Sequence, residues 1–213
     1  MIKKVNSWDN MKLEERKKYI KGMQKIDFLC YKREDWVNPT ELIEKIIDEN
    51  KYSGTIFYIC NKPVAYISYQ IMTEYQYGLL LSDTYKTDKY GAKTLELLYV
   101  PQDKFIASEN YILYLLSICI VEEYRKNKQL VKELLLSFLK TYKLISNEYN
   151  ILKIAMTGVS DEGRALCRRF NLKDIHELVR KKEDGGELRI TGSTTKQEFE
   201  KTLVKLEKIL SKI

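Results

Sequence analysis

The chain has 213 residues, 44% of them hydrophobic and 31% charged, with a formal net charge of +7; that length suffices for a sizeable core in a single domain, and the composition excludes a disordered or fibrous chain. Its four cysteines form no Cys-x-x-Cys pair and His176 is the single histidine, which argues against a zinc site or a disulfide framework and for a reducing, cytoplasmic setting. The basic balance favours an anionic ligand or partner, nucleic acid among them.

The opening Met1-Ile2-Lys3-Lys4 runs straight into Val5-Asn6-Ser7-Trp8-Asp9, so no signal peptide is expected. Asp9 or Asn10 is a candidate cap for a helix reaching about Leu29, with Leu13, Ile20 and Met23 on its apolar side. Asn38-Pro39-Thr40-Glu41 starts a second helix, with Asn38 as cap, Pro39 in the first helical position and Leu42, Ile43, Ile46 and Ile47 inward. Thr55–Cys60 and Val64–Tyr69 are β-branched and aromatic runs around the short turn Asn61-Lys62-Pro63, a predicted hairpin. Leu79–Leu81 and Leu95–Val100 are candidate strands in a less regular stretch from Thr73 to Asn110.

Tyr111 to Val121 is the most apolar run, about half of the roughly 20 residues a membrane-spanning helix needs, so it reads as a buried strand and no membrane contact is expected. A helix follows from about Gln129 to Tyr142, with Val131, Leu134, Leu135, Phe138 and Leu139 inward. Ile151–Met156 reads as a strand, and Asp161–Phe170 as a short helix capped by Ser160. This alternation implies parallel neighbours. Ile175–Arg180 and Glu187–Thr191 flank Glu183-Asp184-Gly185-Gly186, a closing hairpin. The last helix, Lys196 to Ile213, carries one apolar stripe of Phe199, Leu203, Leu206, Leu210 and Ile213.

The chemistry concentrates where the strand ending Ile118-Cys119-Ile120 passes through Val121-Glu122-Glu123-Tyr124-Arg125-Lys126-Asn127-Lys128-Gln129-Leu130 into a helix. A helix start presents unpaired N–H groups and the positive end of its dipole, and here Arg125, Lys126 and Lys128 add charge, so a pyrophosphate is a natural guest.

These residues resemble the acetyl-CoA motif of the GNAT N-acetyltransferases, Arg-x-x-Gly-x-Gly/Ala after a strand, often with a tyrosine before the arginine. Tyr124 and Arg125 match, while Lys128 and Leu130 stand at the small-residue positions. The resemblance continues through Ala165-Leu166-Cys167-Arg168-Arg169-Phe170-Asn171-Leu172, laid on the family's Tyr-x-x-x-Gly-Phe, and covers about residues 52–191. It implies a single GNAT-like α/β domain over 1–213, with a mixed, mostly antiparallel central sheet flanked by helices and an extra C-terminal helix at 196–213 outside the pattern. It also implies acetyl-CoA as co-substrate, no metal, and an amine-bearing small molecule or protein as acceptor.

By the same resemblance, the backbone of Ile118, Cys119 and Ile120 pairs with pantetheine, and the amides of Arg125, Lys126, Asn127, Lys128, Gln129 and Leu130 hold the pyrophosphate. Cys167 takes the place of the tyrosine that protonates the departing CoA thiolate, and Asn171, tolerant of positive φ, keeps the helix-ending turn. Glu122, beside the loop, is the candidate base. The competing strand end Leu97-Leu98-Tyr99-Val100-Pro101 lacks a following basic turn and long helix.

A second reading keeps the fold without transfer, as a binding module acting through protein or nucleic-acid contacts. It would follow if the Leu130 side chain filled the pyrophosphate seat, if the last helix's stripe formed a homodimer, or if the tyrosines and lysines of Tyr85–Tyr90 bound nucleic acid. Whether the strands at Ile118 and Ile151 part at their ends separates the readings.

Overall fold

Apolar alternation and β-branched runs build the strands of the computed structural model, which describes residues 1–7, 9–32, 37, 39–81, 104, 106, 109–158, 160–172, 176–180 and 187–210. In chain order the elements are β1 (Ile2–Asn6), α1 (Leu13–Tyr31), α2 (Thr40–Glu49), β2 (Gly54–Ile59), β3 (Lys62–Thr73), α3 (Glu74–Leu81) and β4 (Tyr111–Ile120). After a short 3-10 turn at Glu122–Tyr124 come α4 (Lys128–Glu148), β5 (Ile151–Gly158), α5 (Asp161–Arg169), β6 (His176–Arg180), β7 (Glu187–Thr195) and α6 (Lys196–Leu210). The strands form one seven-stranded sheet in the order β1-β2-β3-β4-β5-β7-β6. Only β4 and β5 pair in parallel; the other neighbours are antiparallel. This is the mixed, mostly antiparallel sheet that the resemblance implies.

Local chemistry explains several boundaries that differ from expectation. The Asp9 carboxylate accepts from the Asn6 N–H at 2.8 Å rather than capping a helix. Helix α1 therefore begins only at Leu13, and Leu13 itself is exposed. Helix α2 begins at Thr40, one residue after Pro39, and Asn38 lies outside the described residues. The β2–β3 turn is Cys60-Asn61, with φ of 49° and 60°. Two positive φ values in succession mark the two-residue turn that suits twisted strands, so Lys62 and Pro63 belong to β3. Leu79–Leu81 end helix α3 instead of forming a strand. The expectations placed on Tyr85–Tyr90, Leu95–Val100, Leu97–Pro101, Glu183–Gly186 and Ile213 fall outside the described residues.

The strand period of two sends alternate side chains to opposite faces of the sheet, where separate clusters form. On one face, Phe57, Ile67, Tyr69, Leu113 and Leu115 pack with Leu134, Phe138, Phe170, Phe199 and Leu203 of α4, the end of α5, and α6. On the other, Ile56, Tyr58, Tyr66 and Cys119 meet Tyr19, Ile20 and Ile26 of α1 and Ile43 and Ile47 of α2. Phe199, Leu203 and Leu210 of α6 are buried inside the chain, with the Phe199 ring 5.8 Å from Phe138 and 5.5 Å from Phe170. The stripe expected to carry a homodimer is thus covered by the chain's own core. Among the described residues no helix is long and apolar enough to cross a membrane.

Candidate functional site

The sheet opens at its one parallel pair. β4 and β5 pair from Tyr111 opposite Ile151 to Leu115 opposite Met156, with a register shift between Tyr111 and Ile112, and no pairing follows. β5 continues through Thr157 and Gly158 against β7, whereas β4 continues to Ile120 against β3. The parting coincides with a bulge: Ser68 pairs with Ser117 and Tyr69 with Leu115, leaving Leu116 as the extra residue of β4. A bulge bends its strand and increases the local twist, which carries the end of β4 away from β5. The strands that carry Ile118 and Ile151 therefore part beyond Leu115, and among the described residues no strand pairs with that edge of β4 from Leu116 to Ile120, which outlines a slot. Near the parting, Tyr114 Oη lies 2.6 Å from Thr157 Oγ1, which lies 2.7 Å from Thr191 Oγ1.

Gly158 lets the slot's other wall form. A Cβ there would lie 2.6 Å from the Arg164 N and 2.7 Å from the Gly163 carbonyl carbon, so the first turn of α5 sits against the end of β5. Ser160 caps that helix, accepting from the Gly163 N–H at 3.1 Å. Asn171, at φ 57°, ends the α5 segment as expected, with the Leu172 N–H donating to the Cys167 carbonyl.

The slot leads to the start of α4. Asn127 Oδ1 accepts from the Leu130 N–H at 3.0 Å, and the Asn127 carbonyl accepts from Val131 N–H. Among the described residues no acceptor faces the amides of Lys128 and Gln129, the two that a helix start leaves free. Leu130 is 0% exposed and packs in the core under α4, so its side chain leaves the seat that it was expected to fill. Lys126, Lys128 and Gln129 are exposed, and the Arg125 Nε donates to the last β4 carbonyl, Ile120 O, at 3.3 Å. Glu162, at the start of α5, is held below the usual carboxylate range by its own backbone amide and Ser160, with Arg125 adding to the effect.

The two candidate catalytic side chains have opposite surroundings. Cys167 is 1% exposed within the α4–α6 core, and burial pushes its thiol up. Glu122 projects outward, its side chain 76% exposed and 4.0 Å from Lys32.

A buried polar cluster that the sequence reading missed lies on the opposite face of β4, under the C-terminal turns of α1. The Tyr66 hydroxyl donates to Asp27 and lies 3.0 Å from Ser117 Oγ. Ser117 Oγ is 3.3 Å from Tyr31 Oη and 3.2 Å from Cys119 Sγ, and Cys119 Sγ is 3.3 Å from Tyr31 Oη. Cys30, partly buried, packs against the same cluster. Asp27 is 2% exposed, and burial first and the Cys119 charge second raise its carboxyl to about 8. The signal was present: Ser117 interrupts an apolar run, and Asp27 follows Ile20 and Met23 at helical spacing.

No protein-family model matches the sequence, and no curated protein matches it at the sequence level. Solved structures do match. Mosquito arylalkylamine N-acetyltransferase like 5b is similar at a TM-score of 0.56 and 12% identity, over 92% of this chain and 100% of that one. Arabidopsis thaliana NAA60 in complex with acetyl-CoA is similar at 0.54 and 11%, over 92% and 99%. The loading GNATL domain of CurA from Lyngbya majuscula is similar at 0.52 and 14%, over 90% and 97%. At these identities the likeness is one of fold.

Proposed function

We propose, with the GNAT fold of this chain as the premise, that it is an acetyl-CoA-dependent N-acetyltransferase acting on an amine. The observation that carries this reading is the slot between β4 and β5, opened by the Leu116 bulge and leading to the free amides of α4. The solved structures of similar fold add support, since one is in complex with acetyl-CoA and another is arylalkylamine N-acetyltransferase like 5b.

In this reading the exposed backbone of Ile118, Cys119 and Ile120 aligns the pantetheine arm by hydrogen bonds of the kind a neighbouring strand would make. The amides of Lys128 and Gln129 hold the pyrophosphate, and Arg125, Lys126 and Lys128 add charge around it. Asn127 shapes the turn, and Leu130 anchors it to the core. Substituting lysine and leucine for glycine is tolerated because one side chain points to solvent and the other inward, leaving the amides clear. The neutral amine attacks the thioester carbonyl, acetyl passes to nitrogen, and CoA leaves as its thiol. Orientation in the slot supplies much of the acceleration. We assign no proton transfer to Cys167, which is shut in the core, or to Glu122, which faces solvent. The binding-module reading loses its main argument with the Leu130 side chain out of the seat.

Calorimetry with acetyl-CoA and with CoA tests the reading. The wild type binds both, and Arg125→Ala with Lys128→Ala weakens binding by roughly threefold to thirtyfold, from about 0.3–1 kcal/mol per charge at a helix start. The weakening is larger at low salt. Absence of binding to either ligand would overturn the proposal.

A further inference from the structure

Helix α1 carries a row of like charges. Lys17, Lys18, Lys21 and Lys25 are exposed and recur at spacings of three and four, so they share one side of the helix. Lys17 Nζ is 3.1 Å from Glu14. Among the described residues no acid stands within ion-pair distance of Lys18, Lys21 or Lys25. Lysines at these spacings repel one another and oppose the helix, a cost that the described ion pairs offset only at Lys17.

The row borders a cavity. Gly22 lets α1 settle closely onto the sheet beside it: a Cβ there would lie 2.6 Å from Ile56 Cδ1 and 3.0 Å from Tyr58 Oη. Between α1 and the β2–β3 turn lies a cavity of about 320 Å³, lined by the four lysines together with Tyr58 and Asn61. Glu14 is the one acid among its described lining, and it is the partner of Lys17.

Such a lining fits an anion, and two features choose its kind. An α-helix rises about 1.5 Å per residue, so Lys17, Lys21 and Lys25 stand about 6 Å apart along the axis. In an extended chain the side chains of one face recur about every 6.6–6.8 Å, so carboxylates at alternate residues run nearly in step with the row. The aromatic ring points the same way. Tyr58 is 5% exposed, with Lys18 Nζ 5.7 Å from the centre of its ring. It offers no open face to a base, and stacking faces are what hold single-stranded nucleic acid.

We propose that the lysine-lined cavity of α1 is a docking surface for an extended acidic segment of a partner protein, with carboxylates at alternate residues facing the lysine row. Lysine is a point charge on a flexible stem, so the surface reads charge and spacing rather than one side-chain shape.

The test uses the full chain and a fluorescein-labelled peptide of alternating glutamate and serine, about six of each, read by anisotropy at low salt. The peptide should bind, and raising salt from about 50 mM to about 300 mM should weaken binding several-fold. Lys18→Gln with Lys21→Gln and Lys25→Gln should weaken it roughly tenfold, as the loss of three modest exposed pairs implies. The melting temperature of that variant at low salt should match or exceed that of the wild type, because like-charge neighbours are removed. Lys140→Gln with Lys201→Gln and Lys205→Gln removes the same charge from exposed positions of α4 and α6, and should change binding by less than about twofold. Carbodiimide coupling of the bound peptide to the wild type should place its amide links on Lys18, Lys21 and Lys25. No binding of the peptide, equal weakening by the two triple variants, or links spread over other lysines would each overturn the site. A single-stranded RNA of equal charge that binds more tightly than the peptide, and that the α1 variant weakens, would overturn the choice of occupant.

Discussion

Asp27 is a residue whose surroundings strongly alter its chemistry. It faces Tyr66 from β3, Cys119 from β4, and Cys30 and Tyr31 from its own helix, with Ser117 between them. Burial is the larger cause of its rise to about 8, the Cys119 charge is the next, and the Tyr66 hydrogen bond opposes both. The folded chain therefore holds this proton more tightly than the unfolded chain. Its stabilising contribution is complete below the unfolded value, near pH 4, and is lost as pH rises through about 8. Asp27→Asn keeps an acceptor for Tyr66 but cannot ionise. Its melting temperature should fall less than that of the wild type between about pH 5 and pH 8, and parallel melting curves for the two would refute the assignment. The helical period puts Asp27 on the buried side of α1, but its partners come from β3 and β4, and no local pattern names them.

At the scale of the element, the start of α4 shows how a motif changes residues and keeps geometry. Asn127 satisfies the Leu130 amide, Leu130 fills the core, and Lys128 points outward, so the first turn is ordinary helix with its free amides directed at the slot. Removing the cap tests that account. Asn127→Ala should destabilise the chain by about 0.5–2 kcal/mol in urea unfolding, because the Leu130 N–H loses its partner at a buried position. The strand, basic turn and helix were legible, since capping chemistry and the 3.6 period act within a few residues. The direction of the Leu130 side chain was not, because it depends on the sheet against which α4 packs.

For the whole molecule, the question is what the last helix does. Phe138 of α4, Phe170 after α5 and Phe199 of α6 form a triad with centroids 5.5–5.8 Å apart, joining three helices over one face of the sheet. Phe199→Ala should cost about 3–5 kcal/mol in urea unfolding, as large-to-small changes in a close-packed core do. Ile209→Ala, 56% exposed on the same helix, should change stability by no more than about 0.5 kcal/mol. Equal costs would mean that α6 is a loosely attached appendage.

The sequence by itself determined the order of strands and helices apart from α3, the hairpin, the Ser160 cap, the Asn171 turn and the basic helix start, because each rests on residues that are neighbours in the chain. It placed the last helix's stripe correctly but not its partner, which turned out to be this chain's own core. Only the tertiary structure decided that Leu116 bulges, that β4 leaves β5 after Leu115, and that Asp27 and Tyr31 meet Tyr66 and Cys119. These outcomes depend on which strand lies beside which across long connections, and the periods of 2 and 3.6 specify a face to be buried without specifying what will cover it.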